Sequence, residues 1–171
     1  IIAAATGTAY TGETGATSES VQTAIAASVG TGTGLNLLKL TTAKRLLDDA
    51  DVDPSIPRHI IVGPEQLQNL LAVEQVTSSD YNTVKALVQG EIDSYLGFKF
   101  TVSNRLAKSG NDRTCIVYAE DGITLGIGKD ISARIDERAD KSYATQVYYC
   151  QSIGATRMEK AKVVPITCTE A

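Results

Sequence analysis

The chain has 171 residues, of which 43% are hydrophobic and 21% are charged, and its formal net charge at pH 7 is −4. This length predicts a single domain that buries enough surface to fold without a metal or a disulfide. The acidic balance argues against tight, sequence-independent binding of nucleic acid, and no apolar run approaches the roughly 18 residues of a membrane span.

The N-terminal segment predicts the end of a helix followed by a loop. Residues 1–5, IIAAA, are typical of a last helical turn that Gly7 ends, and a Gly/Thr-rich stretch follows. This start has neither a basic region nor an initiator methionine, so we expect a fragment or a processed product and no signal peptide. Residues 19–29 are ambiguous between helix and strand, because their apolar spacing is helical but their side chains are β-branched or small.

A well-defined helix is predicted after Asn36, which is typical of an N-cap residue, and it ends before Pro54. Its apolar stripe consists of Leu37, Leu40, Ala43, Leu47 and Ala50. We expect Lys39, Lys44 and Arg45 to stay in solvent on the opposite face.

Two further helices and one buried strand are predicted in the middle of the chain. RHIIV (residues 58–62) is typical of a short buried strand, and Pro64 then occupies the first position of a helix. The stretch 77–90 predicts another helix, with Ser79 or Asp80 as its N-cap and Gly90 at its end.

The C-terminal half predicts strands. Phe98, Phe100 and Val102 alternate with polar residues, and TCIVYA, DISARIDER, ATQVYYCQSIGATRM and AKVVPIT follow as further strands. DERADK (residues 136–141) is predicted to form a charged hairpin or bend. Helices first and long strands last indicate an α+β fold with a mixed or antiparallel sheet and flanking helices.

Each stretch that resembles a ligand-binding motif lacks residues that the motif requires. GTGTG (30–34) misplaces the third glycine of a dinucleotide loop, and GIGKD (126–130) lacks the first glycine and the Ser/Thr of a phosphate loop, so we interpret it as a turn between strands. DADVD (49–53) lacks the glycine and glutamate of a calcium loop. His59 is the chain's one histidine and has no assignable catalytic partner. We therefore expect no catalytic residue, no metal and no cofactor.

The three cysteines, Cys115, Cys150 and Cys168, are far apart in the sequence and form no CxxC pair. A zinc knuckle or a redox motif is therefore not expected. We interpret all three as small buried hydrophobic residues of a protein in a reducing compartment.

The ordered series of segments resembles the C-terminal half of tailed-bacteriophage major capsid proteins with the HK97-type fold. IIAAATGTAYTGETG resembles the exit of that family's spine helix, and GLNLLKLTTAKRLLDDADVDPSIPRHIIVGPEQLQNLL resembles its second peripheral-domain helix and the strand that follows. SSDYNTVKALVQGEIDSYLGFKFTVSNRL resembles an axial-domain segment, and KSYATQVYYCQSIGATRMEKAKVVPI resembles the long return strand. The family's N-terminal arm, its extended loop and most of its spine helix have no counterpart here.

The resemblance implies a division into a peripheral-domain part (1–58), an axial domain (59–138) and return strands to the peripheral domain (139–171). It also implies that residues 73–84 lie nearest the axis of pentamers and hexamers. The subunit-interface residues expected there are Val73, Glu74, Gln75, Ser79, Asp80 and Tyr81.

The function that this resemblance implies is a structural subunit of an icosahedral phage head. The subunit would assemble with copies of itself around the viral DNA, together with scaffold and portal proteins, in the host cytoplasm and then in the virion. Specific nucleic-acid binding and membrane association are not expected. Because the parts that clasp neighbours are missing, we expect the chain alone to be monomeric or weakly associated.

Two alternatives stay open at this level. The first is a nanocompartment shell protein of the same fold that encloses an enzyme. The second is a small α+β enzyme or ligand-binding domain, which would need a pocket where polar groups converge, such as one around His59, Glu65 and Asp80.

Overall fold

A computed structural model describes residues 1–11, 17–30, 32–72 and 94–170. The helices in these ranges are α1 (Ile2–Thr6), α2 (Leu37–Asp49) and α3 (Pro64–Leu71). The strands are β1 (Ala9–Thr11), β2 (Thr17–Glu19), β3 (Arg58–Val62), β4 (Ser94–Tyr95), β5 (Phe98–Val102), β6 (Lys108–Ser109), β7 (Asp112–Ala119), β8 (Ile123–Arg138), β9 (Ala144–Arg157) and β10 (Val163–Thr169).

The central element is a sheet whose strands follow the order β10-β7-β3-β5-β4, with β6 paired to β7. The pairs of β7 with β10 and with β3 are antiparallel, whereas β3 and β5 are parallel. Continuous apolar strands fill its middle, because a strand covered on both faces needs no polar alternation. Ile60, Val62, Val117, Val164 and Ile166 are fully buried there. The predicted α+β fold with a mixed sheet is confirmed.

Helix α2 begins at the predicted cap. The Oδ1 atom of Asn36 accepts a hydrogen bond from the backbone N–H of Lys39 at 2.9 Å, which satisfies one of the helix's orphan donors. Leu40, Ala43 and Leu47 of the predicted stripe are fully buried, and the helix packs against β10. The apolar face therefore sets the orientation of α2.

The prediction that Lys39 stays in solvent is wrong. Its side chain is fully buried, and its Nζ donates to the backbone oxygens of Thr33 at 2.9 Å and Gly34 at 2.6 Å. Burial lowers the pKa of this lysine from its ordinary value. The ammonium thus fastens the Gly-rich connector onto the first turn of α2.

The β3–α3 unit matches its prediction. RHIIV forms β3, and Gly63 leads into a helix whose first residue is Pro64, where the missing N–H costs nothing. Leu70 faces the core, and Gln66 is buried beside it in the same helix. The helix predicted at 77–90 lies outside the described residues.

Residues 17–30 hold no helix, which resolves the ambiguity of the segment 19–29. Ile25 instead forms an isolated parallel bridge with Ile166, so this segment runs along the outer side of β10. The backbone N–H of Ile25 donates to the backbone oxygen of Pro165 at 2.9 Å. Of the β-branched residues that weakened the helical interpretation, Ile25 lies in this bridge, whereas Val29 lies in a bend.

Two predictions in the β-rich half need correction. GIGKD (126–130) forms no turn, because it lies within β8, where the pairing register shifts between Ile127 and Lys129 and again before Ser132. Cys115 and Cys168 are buried as expected, but Cys150 is only half-buried. By contrast, the bend predicted in DERADK is confirmed, since a short 3-10 turn at Ala139–Lys141 joins β8 to β9.

Candidate assembly surface

The interface residues expected from the sequence are not placed by the structure. Val73, Glu74, Gln75, Ser79, Asp80 and Tyr81 all lie outside the described residues. Their assignment to a capsomer axis stays a prediction.

The structure does not support a pocket in which His59 and Glu65 converge. The half-buried His59 lies near the start of β3, and its ring stacks on that of Tyr118 with centroids 5.4 Å apart and planes 19° apart. Glu65 lies in the first turn of α3, beyond the other end of β3. Asp80 is outside the described residues. The stacking on a neighbouring strand is typical of a histidine with a packing role.

The part of the chain that the structure describes contains neither a metal-binding cluster nor a membrane-spanning helix. Within those ranges, no group of three or more His, Cys, Asp or Glu side chains is arranged to hold a metal ion. In the same ranges, no helix is both long enough and apolar enough to cross a membrane.

The feature that sequence reasoning missed is a long ribbon formed by β8 and β9. The two strands pair antiparallel from Ile123↔Arg157 to Arg138↔Ala144, which corresponds to a length of about 45 Å. Within the described residues, neither strand pairs with the central sheet. Most of the ribbon's side chains are exposed on both of its faces.

The two faces of the ribbon differ sharply in chemistry. Residues opposite one another in the register share a face, so Ala133 joins Tyr149 and Ile135 joins Val147 on one side. This surface, which we call the apolar face, consists of Leu125, Ile127, Ala133, Ile135, Val147, Tyr149 and Ile153. The opposite surface, the polar face, includes Lys129, Ser132, Arg134, Asp136, Gln146 and Tyr148.

Two register shifts in β8 preserve this division. A shift of one residue would turn every later side chain to the other face. Because β8 has two such irregularities, around residues 128 and 130, Ile135 returns to the face that Ile127 occupies. The apolar face is not covered within the described residues, since Ile135 is 72% exposed and Val147 68% exposed. The alternation of the sequence does not indicate this exposure.

A two-stranded ribbon is at best marginally stable in water, and a large exposed apolar surface usually marks an interaction site. The ribbon's geometry therefore indicates a surface that becomes buried by other protein. We define the ribbon with its two faces as the candidate functional site.

The base of the ribbon is fixed to the N-terminal segment by Arg157. Its side chain is 3% exposed, and its guanidinium donates to the backbone oxygens of Ala5 and Gly7, both at 3.0 Å, and of Glu19 at 2.8 Å. A planar fork of donors suits several carbonyls at once. Arg157 thus holds α1 and β2 against the end of β9.

A second polar cluster secures the C-terminal end of β10. The carboxylate of Glu170 accepts hydrogen bonds from Arg113, Lys108 and, at 3.2 Å, from Gln66 of α3. The Arg113 and Lys108 donors lower the pKa of Glu170 to about 2. This arrangement ties β10 to β7 and α3, so it holds the scaffold from which the ribbon projects.

Comparison with known proteins gives one family and a consistent set of folds. The family model described as phage capsid protein matches residues 1–170. The cyanophage Pam1 capsid is similar with a TM-score of 0.66 and 13% identity, covering 86% of this chain and 49% of that chain. The Mycobacterium phage Che8 structure has a TM-score of 0.62 and 18% identity, covering 75% and 46%.

The capsid of cyanophage P-SCSP1u is similar at a TM-score of 0.61 and 14% identity, covering 77% of this chain and 45% of that chain. At these identities the likeness shows the fold, and that fold is of the HK97 type expected from the sequence. The chain spans just under half the length of each of these three capsid chains. No curated protein sequence matches it.

Proposed function

The chain belongs to the phage capsid protein family, and we propose that it serves as a structural subunit of an icosahedral phage head. In this role it assembles with copies of itself into pentamers and hexamers that enclose the viral DNA. The observation that carries the proposal is the exposed ribbon, because its apolar face is a surface that only another protein element can keep dry.

The negative net charge of the chain is more typical of a protein that encloses DNA than of one that binds it tightly. A net charge of −4 gives little attraction to phosphates, so a wall of such subunits encloses DNA without gripping it. Each contact between copies can be modest, since a closed shell multiplies it many times. The proposed role is structural and involves no catalysis.

The finer assignments from the resemblance belong to the same proposal. Residues 1–58 and 139–171 form the peripheral part, 59–138 form the axial domain, and 73–84 approach the capsomer axis. Scaffold and portal proteins are the expected partners during assembly in the host cytoplasm, and the virion is the final location. The matches to phage capsids do not favour a nanocompartment shell or a small enzyme.

Electron microscopy of the full-length parent protein tests this function. The parent is expressed alone and with its scaffold protein, and we expect shells, rings or sheets in at least one of the two preparations. A parent protein that stays dispersed in both, while circular dichroism shows it folded, would contradict the proposal.

A further inference from the structure

Two of the three cysteines meet in the core although they are far apart in the sequence. Cys115 of β7 lies opposite Ile166 of β10, and Cys168 of β10 lies opposite Arg113 of β7. Opposed residues share a face of the sheet, as do residues two apart on one strand, so the two cysteines are diagonal neighbours on one face. Both side chains are fully buried, and their thiols hydrogen-bond each other. The pairing of β7 with β10 therefore supplies the proximity that the sequence spacing lacks.

The two thiols are not equivalent. Lys39 adds a buried cation to the pair, and its ammonium acts more strongly on Cys168 than on Cys115. The hydrogen bond from Cys115, and next the Lys39 ammonium, lower the pKa of Cys168 despite its burial. The contact with Cys168, and next burial, raise the pKa of Cys115. Because the thiolate is the nucleophile in thiol chemistry, this asymmetry makes Cys168 the attacking cysteine and Cys115 the resolving one.

We propose that Cys115 and Cys168 form a peroxide-sensitive dithiol that closes into a disulfide within one chain. The Cys168 thiolate attacks one oxygen of hydrogen peroxide, the O–O bond breaks, and hydroxide leaves as a sulfenic acid forms on Cys168. The Cys115 thiol then attacks that sulfur, the S–O bond breaks, and the oxygen leaves as water with the Cys115 proton. The net reaction converts two thiols and one hydrogen peroxide into one disulfide and two water molecules.

The register brings the two cysteines close to the span of a disulfide. Diagonal neighbours in antiparallel strands have Cα atoms about 7–8 Å apart and Cβ atoms closer, whereas a disulfide needs Cα atoms within about 7 Å. Since the thiols already hydrogen-bond each other, a small approach of β10 toward β7 suffices. Hydrogen peroxide is small and uncharged, so local opening of the core admits it. In a reducing compartment the pair stays as two thiols, which is its form in the structure.

The disulfide closes a loop that contains the whole ribbon. Residues 116–167 lie between the two cysteines and include β8 and β9. A crosslink between positions this far apart in the sequence removes many conformations from the unfolded chain, so it stabilises the scaffold from which the ribbon projects. The inference goes beyond the proposed function and does not depend on it. Both cysteines and Lys39 are fully buried among the described residues, whatever covers the ribbon.

Peptide mapping of the oxidised full-length parent tests the pair without any substitution. Trypsin cuts after Lys and Arg, so Cys115 lies in peptide 114–129, Cys150 in peptide 142–157 and Cys168 in the peptide that begins at Val163. The folded parent is treated with hydrogen peroxide, blocked with N-ethylmaleimide and digested without reduction. We expect the main linked species to join 114–129 to the peptide that begins at Val163, and to disappear on reduction.

The matched control is the same oxidation in concentrated urea. In the unfolded chain, Cys150 is nearer in sequence to Cys115 and to Cys168 than these two are to each other, so shorter loops favour the pairs that include Cys150. In the native parent we expect the Cys115–Cys168 link to exceed either Cys150 pair about tenfold or more, although Cys150 is the more exposed thiol. Native yields like those in urea, or no Cys115–Cys168 link, would overturn the proposal.

A second test assigns the roles of the two thiols. Cys115→Ser keeps a hydroxyl donor beside Cys168 but cannot close a disulfide, so the Cys168 sulfenic acid persists and reacts with dimedone. In Cys168→Ser, the remaining Cys115 keeps little thiolate character. With circular dichroism showing both variants folded, we expect about fivefold or more dimedone label on Cys168 of the first variant than on Cys115 of the second. Equal or reversed labelling would refute Cys168 as the attacking thiol.

The stabilising effect of the bond has its own measurement. We expect the unfolding temperature of the oxidised parent to lie about 3 °C or more above that of the reduced parent. Cys150→Ser should show the same rise, because Cys150 takes no part in the bond. An unchanged or lower unfolding temperature after oxidation would refute the stabilising role of the disulfide.

Discussion

At the scale of single residues, the structure is held by polar side chains that the hydrophobic pattern does not reveal. Glu170, Arg157 and Lys39 are all buried. Glu170 and Arg157 join segments that are distant in the chain, whereas Lys39 holds the connector that directly precedes α2. Buried polar groups are stable only when their hydrogen-bonding atoms find partners, so these residues specify how the segments meet. Two of them carry testable consequences.

The free energy of unfolding of the chain should depend on pH through Glu170. The pKa of Glu170 is about 2 in the folded chain and 4.5 ordinarily, so between these values the unfolded chain binds a proton that the folded chain does not. The contribution of Glu170 is therefore complete above pH 4.5 and is lost as the pH falls through about 2. We expect urea unfolding of Glu170→Gln to show a flatter pH dependence than the wild type across this window.

The control for this measurement is Glu137→Gln, which removes an equal charge from the exposed strand β8. It accounts for the change in net charge alone. If Glu170→Gln keeps the wild-type slope between pH 2 and 4.5, the account of this cluster is wrong.

Arg157 should control the attachment of the N-terminal segment. Arg157→Lys keeps the charge but cannot reach three carbonyl oxygens with one planar fork, so we expect a loss of about 2 kcal/mol or more in the free energy of unfolding. Limited proteolysis should also cut the segment that carries α1 and β1 faster.

The matched variant is Arg138→Lys, which alters an exposed ion pair with Asp140. Exposed pairs contribute little, so we expect its effect on the free energy of unfolding to stay within about 0.5 kcal/mol. Equal effects of the two substitutions would show that Arg157 has no special role.

At the scale of elements, local signals predicted the helix starts and most strands, and failed where long-range contacts decide. Asn36 and Pro64 marked the starts of α2 and α3 because capping and proline effects are local. The glycines of GIGKD suggested a turn, but pairing with β9 holds them in a strand. Lys39 lies off the apolar stripe of α2, and its burial depends on carbonyls from the preceding connector.

The ribbon shows a second limit of sequence reasoning. Alternation in DISARIDER predicts Ile131, Ala133 and Ile135 on one face and Ser132, Arg134 and Asp136 on the other. The register confirms this for every one of these residues except Ile131, which lies in the second register shift and has no partner in β9. Alternation states which residues share a face, but it carries no information on whether that face is covered within the same chain. The expected axis residues 73–84, in turn, rest on resemblance alone.

The apolar face of the ribbon should matter for assembly far more than for folding. Ile135→Thr keeps a β-branched side chain at a position that is 72% exposed, so we expect the free energy of unfolding of the chain to change by less than about 0.5 kcal/mol. In the full-length parent, the same substitution should lower the yield of shells counted by electron microscopy. Its control is Arg134→Thr on the polar face, and an equal loss of shells from both variants would argue against a special role of the apolar face.

At the scale of the whole molecule, the chain combines a packed sheet with a projection that is not packed. Buried apolar side chains from α2, α3 and the central strands form one hydrophobic core. The ribbon extends from this core with its apolar face in solvent. That combination is expected of a subunit whose own stability is complete only in an assembly.

The most direct test of this account is a high-resolution electron microscopy structure of the shell formed by the full-length parent. We predict that Ile135, Val147 and Tyr149 are covered by protein in that shell and lose most of the exposure they have in the chain alone. A shell in which these three side chains face solvent would contradict the central claim that the ribbon is an assembly surface.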